Sequence, residues 1–213
     1  MAVSGIEVDM MPRRLVGGAL LTLATLLASR NASADETRFD VGLLLGSTRA
    51  TNEGNVLTFD RATTYQATFS WNVLRGDATK LSIEIPFIAS PAFTVLTPDN
   101  ALPLEYASLY LTPAVRVTFW SRGAVSAWGS LGAGYARYSE SKLREDRSPN
   151  PGQRDTNAGA LQYGGGVDVR GLGWLGFRGE VRDVYTGARN FSLPTPAPNV
   201  HNVVISGGLI VRF

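Results

Sequence analysis

NVVISGGLIVRF, residues Asn202 to Phe213, decides how the rest of the chain is read. Taken every second residue, one face carries Val203, Ile205, Gly207, Leu209, Val211 and Phe213. The other carries Asn202, Val204, Ser206, Gly208, Ile210 and Arg212. A strand points successive side chains to opposite faces. The stretch is therefore expected to be a long strand with one nearly all-apolar face and an aromatic end. Gly207 and Gly208 weaken a strand, so they mark either a bend or a close backbone contact.

Seven similar segments precede it: 38–47, 63–74, 79–89, 107–120, 124–138, 160–170 and 174–186. Each alternates large apolar side chains with Gly, Ser, Thr and scattered charge. The second, for example, sets Tyr65, Ala67, Phe69, Trp71 and Val73 against Thr64, Gln66, Thr68, Ser70 and Asn72. Alternation with period two is the signature of strands. The connections alternate as well. Short turns lie at 75–78, 121–123 and 171–173, and long polar segments at 48–62, 90–106, 139–159 and 187–201. Short turns on one side and long loops on the other is the pattern of barrels that cross an outer membrane. One register fault stands out: Asp183 falls on the apolar face of the seventh segment. It either sits at the membrane rim or marks a β-bulge that resets the alternation.

Composition narrows the function. Cysteine is absent and there is a single histidine, which excludes disulfide frameworks and zinc sites of the usual donor sets. The formal net charge is only +2 and the basic residues are dispersed, so nothing resembles a nucleic-acid footprint. Lysine occurs only at Lys80 and Lys142. A water-covered surface normally carries far more mixed charge. At the N-terminus, Arg13 and Arg14 precede an apolar run from Leu15 to Ala28. Ala32-Ser33-Ala34 then supplies a small-residue cleavage site. These are the parts of a secretion signal. The expected division is a signal at 1–34 and a barrel at 35–213, with Met10 or Met11 as a more ordinary start than Met1.

Periodicity alone does not say which face points inward, since a lipocalin-like soluble barrel also alternates. Three features favour apolar outside. The apolar faces carry large residues on all eight segments with no charge except Asp183. The opposite faces are rich in Gly, Ser and Thr with a few charges, which suits a narrow enclosed lumen better than a water-covered exterior. Aromatic residues recur near segment ends on that face, at Phe39, Trp71, Phe87, Phe119, Tyr135, Tyr185 and Phe213. Interfacial girdles belong there. The reading is an all-β, eight-stranded antiparallel up-and-down transmembrane barrel, whose lumen is narrow enough for side chains to fill.

In its strand count, loop asymmetry, secretion signal and terminal phenylalanine, the chain resembles the small eight-stranded outer-membrane barrels of the OmpA and OmpX type. The resemblance covers Arg38 to Phe213 and is one of architecture. It implies a Gram-negative-type outer membrane and a lipid bilayer as the surrounding partner. It also implies that Val203, Ile205, Leu209, Val211 and Phe213 form the signal read by the barrel-assembly machinery. A monomer and no cofactor are expected.

The polar faces carry Asp40, Lys80, Glu84, Arg116, Asp168, Arg170, Arg178, Glu180, Arg182 and Arg212. Enclosed charges are costly unless paired. An interior ion network is therefore expected, with Asp168 near Arg178, Gly164 and Gly166 making room, Glu180 at its centre, and Arg212 near Asp40. Such a network serves either as a plug or as the lining of a narrow ion path. A lipid-modifying enzyme is a further alternative, resting on His201 and Ser206. The compact His-x-Ser pattern of the outer-membrane deacylase is absent, however, because Asn202 and Val203 follow His201. Arg75-Gly76-Asp77 reads as a tight turn rather than an adhesion motif. Glu145, Asp146 and Asp155 lack calcium-loop spacing. The favoured function is a structural or surface-interaction role through the outer loops, with the extracellular ligand unspecified.

Overall fold

The structure is a computed structural model that describes residues 38–50, 58–59, 61–76, 79–96, 105–143, 147–150, 155–187 and 199–213. The expected signal at 1–34 and about half of the residues in the long polar segments lie outside the described residues. Ten strands run in chain order: β1 (Phe39–Ala50), β2 (Thr58–Phe59), β3 (Ala62–Arg75), β4 (Lys80–Leu96), β5 (Glu105–Leu111), β6 (Ala114–Arg122), β7 (Val125–Glu140), β8 (Asp155–Arg170), β9 (Leu175–Gly187) and β10 (Asn199–Arg212). Each pairs antiparallel with its neighbours, and β1 pairs both β3 and β10, so the sheet closes on itself. β5 and β6 share one position in the barrel, between β4 and β7, and β2 adds a short ladder to β4 alone. The result is an eight-stranded barrel.

The interruption between β5 and β6 has a local cause. Proline has no N–H to give a ladder. Pro113 follows Thr112 on one side of the seam, and Pro86 lies on β4 opposite. The pairs Phe87 with Leu111 and Glu84 with Ala114 flank the gap without a change of register. Thr112 and Pro113 thus keep their faces, and the alternation expected over 107–120 passes through the break. Several strands also reach further at the loop end than the alternation indicated. β4 runs to Leu96 and β8 begins at Asp155, where 79–89 and 160–170 were expected. Beyond the membrane both faces of a strand meet polar surroundings, so hydropathy stops alternating before the backbone pairing stops.

Alternation sorts the faces without ambiguity. β3 reads buried and exposed in strict turn from Ala62 to Asn72. The exposed set includes Leu43, Leu45, Tyr65, Phe69, Trp71, Ile83, Ile85, Phe87, Leu131, Leu161, Phe177, Ile205 and Leu209. A band of this extent is far beyond what a water-soluble monomer presents. The buried set is mostly polar and fills the interior. At the turn end Gly123 and Gly173 take positive φ, the conformation tight hairpin turns need. At the closing seam Gly208 sits against the Leu43 carbonyl and the Leu44 backbone, where a Cβ has no room. Of the two adjacent glycines, this one makes the close contact.

Candidate functional site

The polar interior separates into two layers. Toward the turn end lies an ion and hydrogen-bond network assembled from eight strands. Asp168 on β8 accepts two hydrogen bonds from Arg178 on β9, Nε and Nη2 each at 2.8 Å. It also accepts one from Trp128 Nε1 on β7 at 3.0 Å. Arg212 Nη2 stands 3.5 Å from the same carboxylate. Asp40 on β1 accepts from Arg116 Nη2 on β6 at 2.9 Å and from Lys80 Nζ on β4 at 3.5 Å. Arg182 on β9 donates from Nη1 to Glu84 on β4 at 2.7 Å. It donates from Nε and Nη2 to Glu180 and from Nη1 to Gln162. Gln66 on β3 completes Glu180 with a bond of 2.6 Å, and Ser206 on β10 donates to Gln66.

Trp128 stands at the middle of these charges. The guanidinium carbons of Arg116, Arg178 and Arg182 lie 5.5, 5.1 and 5.3 Å from its ring centre. A π face attracts cations most strongly when solvent is excluded, and Trp128 is 2% exposed. One aromatic plate therefore holds apart three like charges that water does not screen. A sequence signal for Trp128 exists in the alternation of its segment: it is the one large side chain among the inward residues Ser126, Ser130, Gly132 and Gly134 on the turn half of β7.

The expected charges are distributed unevenly. Asp168 and Arg178 are brought together, and the register sets Gly164 opposite Arg182 and Gly166 opposite Glu180. A Cβ at Gly166 would strike the Trp128 ring and Glu180. Glu180 is not the junction, however. Arg182 is, because its fork reaches two carboxylates and an amide from one position. Arg212 pairs with Asp40 in backbone register, yet its side chain reaches Asp168. Arg170 stands exposed at the turn end, outside the network, because it is the last strand residue before the hairpin. Arg116 is the least satisfied member. Its Nη1 lies 3.6 Å from Glu84 Oε2, too far for a hydrogen bond. Arg116 Nε and Nη1, Asp40 Oδ1, Glu84 Oε2 and Ser70 Oγ are buried without hydrogen-bond partners.

Toward the loop end the interior turns aromatic. Phe93 and Tyr106 stack at 4.5 Å, and Tyr138 meets Tyr106 and Tyr110 at 6.4 and 6.0 Å. Ile88, Val184 and Val204 pack with them. Thr48, Thr64 and Ser90 link through their hydroxyls at 2.6 to 3.2 Å.

On the outer face, Asp183 keeps unbroken register with Tyr163 on β8 and Val203 on β10, so no bulge is present there. Tyr163 donates to its Oδ2 at 2.5 Å, and His201 Nδ1 lies 2.7 Å from the same oxygen. Asp183 is eight residues from the start of β9 and pairs with Val203, ten residues before Phe213. Ten tilted strand residues span an apolar band of about 25 Å, which sets Asp183 at the outer rim. His201 is outside the wall and Ser206 inside it, so the two do not form a site. Of the expected assembly residues, Ile205 and Leu209 are exposed and Val203, Val211 and Phe213 half-exposed along the outside of β10. Phe213 meets Phe39 across the seam at 5.9 Å. Among the described residues no group of His, Cys, Asp and Glu has the arrangement of a metal site.

The closed eight-stranded antiparallel barrel, apolar outside and filled with paired charge inside, has the fold of the small outer-membrane β-barrels. Solved structures of that architecture are similar to it. Neisserial surface protein A is 14% identical with a TM-score of 0.53, the match covering 86% of this chain and all of that one. The attachment invasion locus protein Ail of Yersinia pestis is 13% identical with a TM-score of 0.45, covering 80% of this chain and 97% of that one. The outer-membrane enzyme PagL is 14% identical with a TM-score of 0.44, covering 82% and 99%. No family model matches the sequence, and no curated protein matches it.

Proposed function

We propose that this protein is a non-enzymatic barrel with a structural or surface-interaction role, exerted through its outer loops while its lumen stays shut. The observation that carries the reading is the double filling of the interior. The ion network seals the periplasmic half, and the Phe93–Tyr106–Tyr138 layer seals the outer half. Arg182, Arg116 and Glu84 are each 1% exposed or less at their side chains. The separation of His201 from Ser206 supports a non-enzymatic role. The chain acts as a monomer in this reading, with β10 engaging the barrel-assembly machinery through its outward apolar face. The test is planar-bilayer recording of the refolded protein, with heat-modifiable gel migration as the check that it has folded. Folded protein that gives no discrete conductance agrees with a sealed lumen. Reproducible single-channel steps altered by Arg182→Met would replace it with an ion path.

A further inference from the structure

The enclosed charges do not balance. Lys80, Arg116, Arg178, Arg182 and Arg212 bring five positive charges to the interior, and Asp40, Glu84, Asp168 and Glu180 bring four negative ones. The surplus lies at the turn end. Asp168 is held by the Arg178 fork at 2.8 Å, and Asp40 by Arg116 at 2.9 Å. Arg212 and Lys80 stand outside these pairs, each 3.5 Å from a carboxylate that a nearer arginine already holds. They are also the members that reach solvent. Their side chains are 13% and 28% exposed, against 1% or less for Arg116, Arg178 and Arg182. They are close enough to repel one another across the mouth.

Arg170 adds to this surplus. It is exposed and lies two residues beyond Asp168 on the inward series of β8. Its register partner is Gly176. The Arg212 fork lies over that glycine, where an added Cβ would stand 3.3 Å from Nη1. Neighbouring strands are about 4.8 Å apart, so Arg170 joins the chain one strand from the fork. Among the described residues Arg170 has no ion pair, and the turn end holds no carboxylate side chain besides Asp40 and Asp168. An anion at this mouth meets three cations and displaces none of the shorter ion pairs. A guanidinium fork presents paired donors to two oxygens of an oxyanion, and an ammonium adds a compact charge. The width of an eight-stranded lumen restricts the occupant to a small group. We propose that the turn-end mouth binds a small phosphate-class oxyanion from the periplasmic side, with Arg212 as the fork and Lys80 and Arg170 at its flanks. The site lies at the opposite end from the outer loops and does not depend on their role.

The test titrates inorganic phosphate into the protein refolded in a zwitterionic detergent, at fixed ionic strength, with chloride as the matched anion. The readouts are calorimetric affinity and the thermal midpoint of the heat-modifiable band. Phosphate is expected to bind saturably and raise the midpoint, and chloride to do neither. Arg170→Gln should weaken phosphate binding about fivefold, the upper range for one exposed ion pair. Arg212→Gln should weaken it at least about tenfold, as expected for a charge-assisted hydrogen bond. Arg122→Gln should leave binding unchanged, because Arg122 pairs with Val125 on the outward side of the same end. Without phosphate, Arg170→Gln should melt with the parent, which separates lost binding from lost folding. Should Arg212→Gln fail to fold, Arg170→Gln alone decides. A parallel series in phosphatidylcholine bilayers with and without phosphatidylglycerol distinguishes a free oxyanion from a lipid headgroup. A response to phosphatidylglycerol without one to inorganic phosphate overturns the site. So does an equal response of parent and Arg170→Gln, or a midpoint that chloride raises as much as phosphate.

Discussion

Arg182 and Arg116 show how the worth of a buried charge depends on its partners. Both guanidinium groups are enclosed, but Arg182 reaches Glu84, Glu180 and Gln162, while Arg116 makes one hydrogen bond, to Asp40. Removing one partner of a buried pair typically costs about 3–5 kcal/mol, because the other charge is left behind. Arg182→Met should reach that range, since it strands two carboxylates. Arg116→Met should cost less, because Lys80 still faces Asp40 and Arg182 still faces Glu84. Urea unfolding in lipid vesicles measures both, and an equal loss would mean that the hydrogen-bond geometry does not set the stability. Glu180→Ala should also destabilise, by less than Arg182→Met, because Glu84 still pairs with Arg182. Trp128→Ala should cost about 3–5 kcal/mol through the cavity alone, with a further loss from bringing three arginines together unshielded. Replacing Trp128 by Phe restores a π face, so partial recovery in the same assay would identify the cation–π contribution.

Among the elements, β10 carries the closure. Its inward glycine at 208 lets the β1 backbone approach, and Gly46 on β1 does the same against Ser206 and the Ile205 carbonyl. Gly208→Val places a branched side chain where the Leu43 carbonyl stands. It should abolish the fast-migrating folded band on an unheated gel. Gly207→Val points outward, where an added Cβ would stand 3.6 Å from the Arg178 carbonyl oxygen. It should keep the band, and it improves strand propensity as well. Band loss in both variants would point to the glycine pair as a required bend rather than a packing contact. The alternation of β10 was legible from its residues, as was a choice between bend and contact. The choice itself was not, because the atoms that exclude a Cβ belong to β1, more than 150 positions away in the chain.

For the whole molecule, closure is the property that makes the rest consistent. A sheet in lipid must satisfy every backbone group, and only a closed sheet leaves no edge. An eight-stranded circumference then leaves an interior that side chains fill. The sequence by itself determined the number of strands and their alternation, because period two in hydropathy is a property of neighbours along the chain, and it determined the apolar outside through uncharged apolar faces that end in aromatic residues. It placed the charges on the inward faces for the same reason, and Asp168 beside Arg178, because one short hairpin joins their strands. Only the tertiary structure decided that Arg182 rather than Glu180 is the junction, that Arg212 turns to Asp168, and that Trp128 lies under three arginines. It also decided that Arg170 stays outside, and that Asp183 meets His201 and Tyr163 at the rim. Those choices depend on side chains arriving from opposite walls of the barrel, at distances fixed by its radius and stagger, which no spacing within one strand encodes.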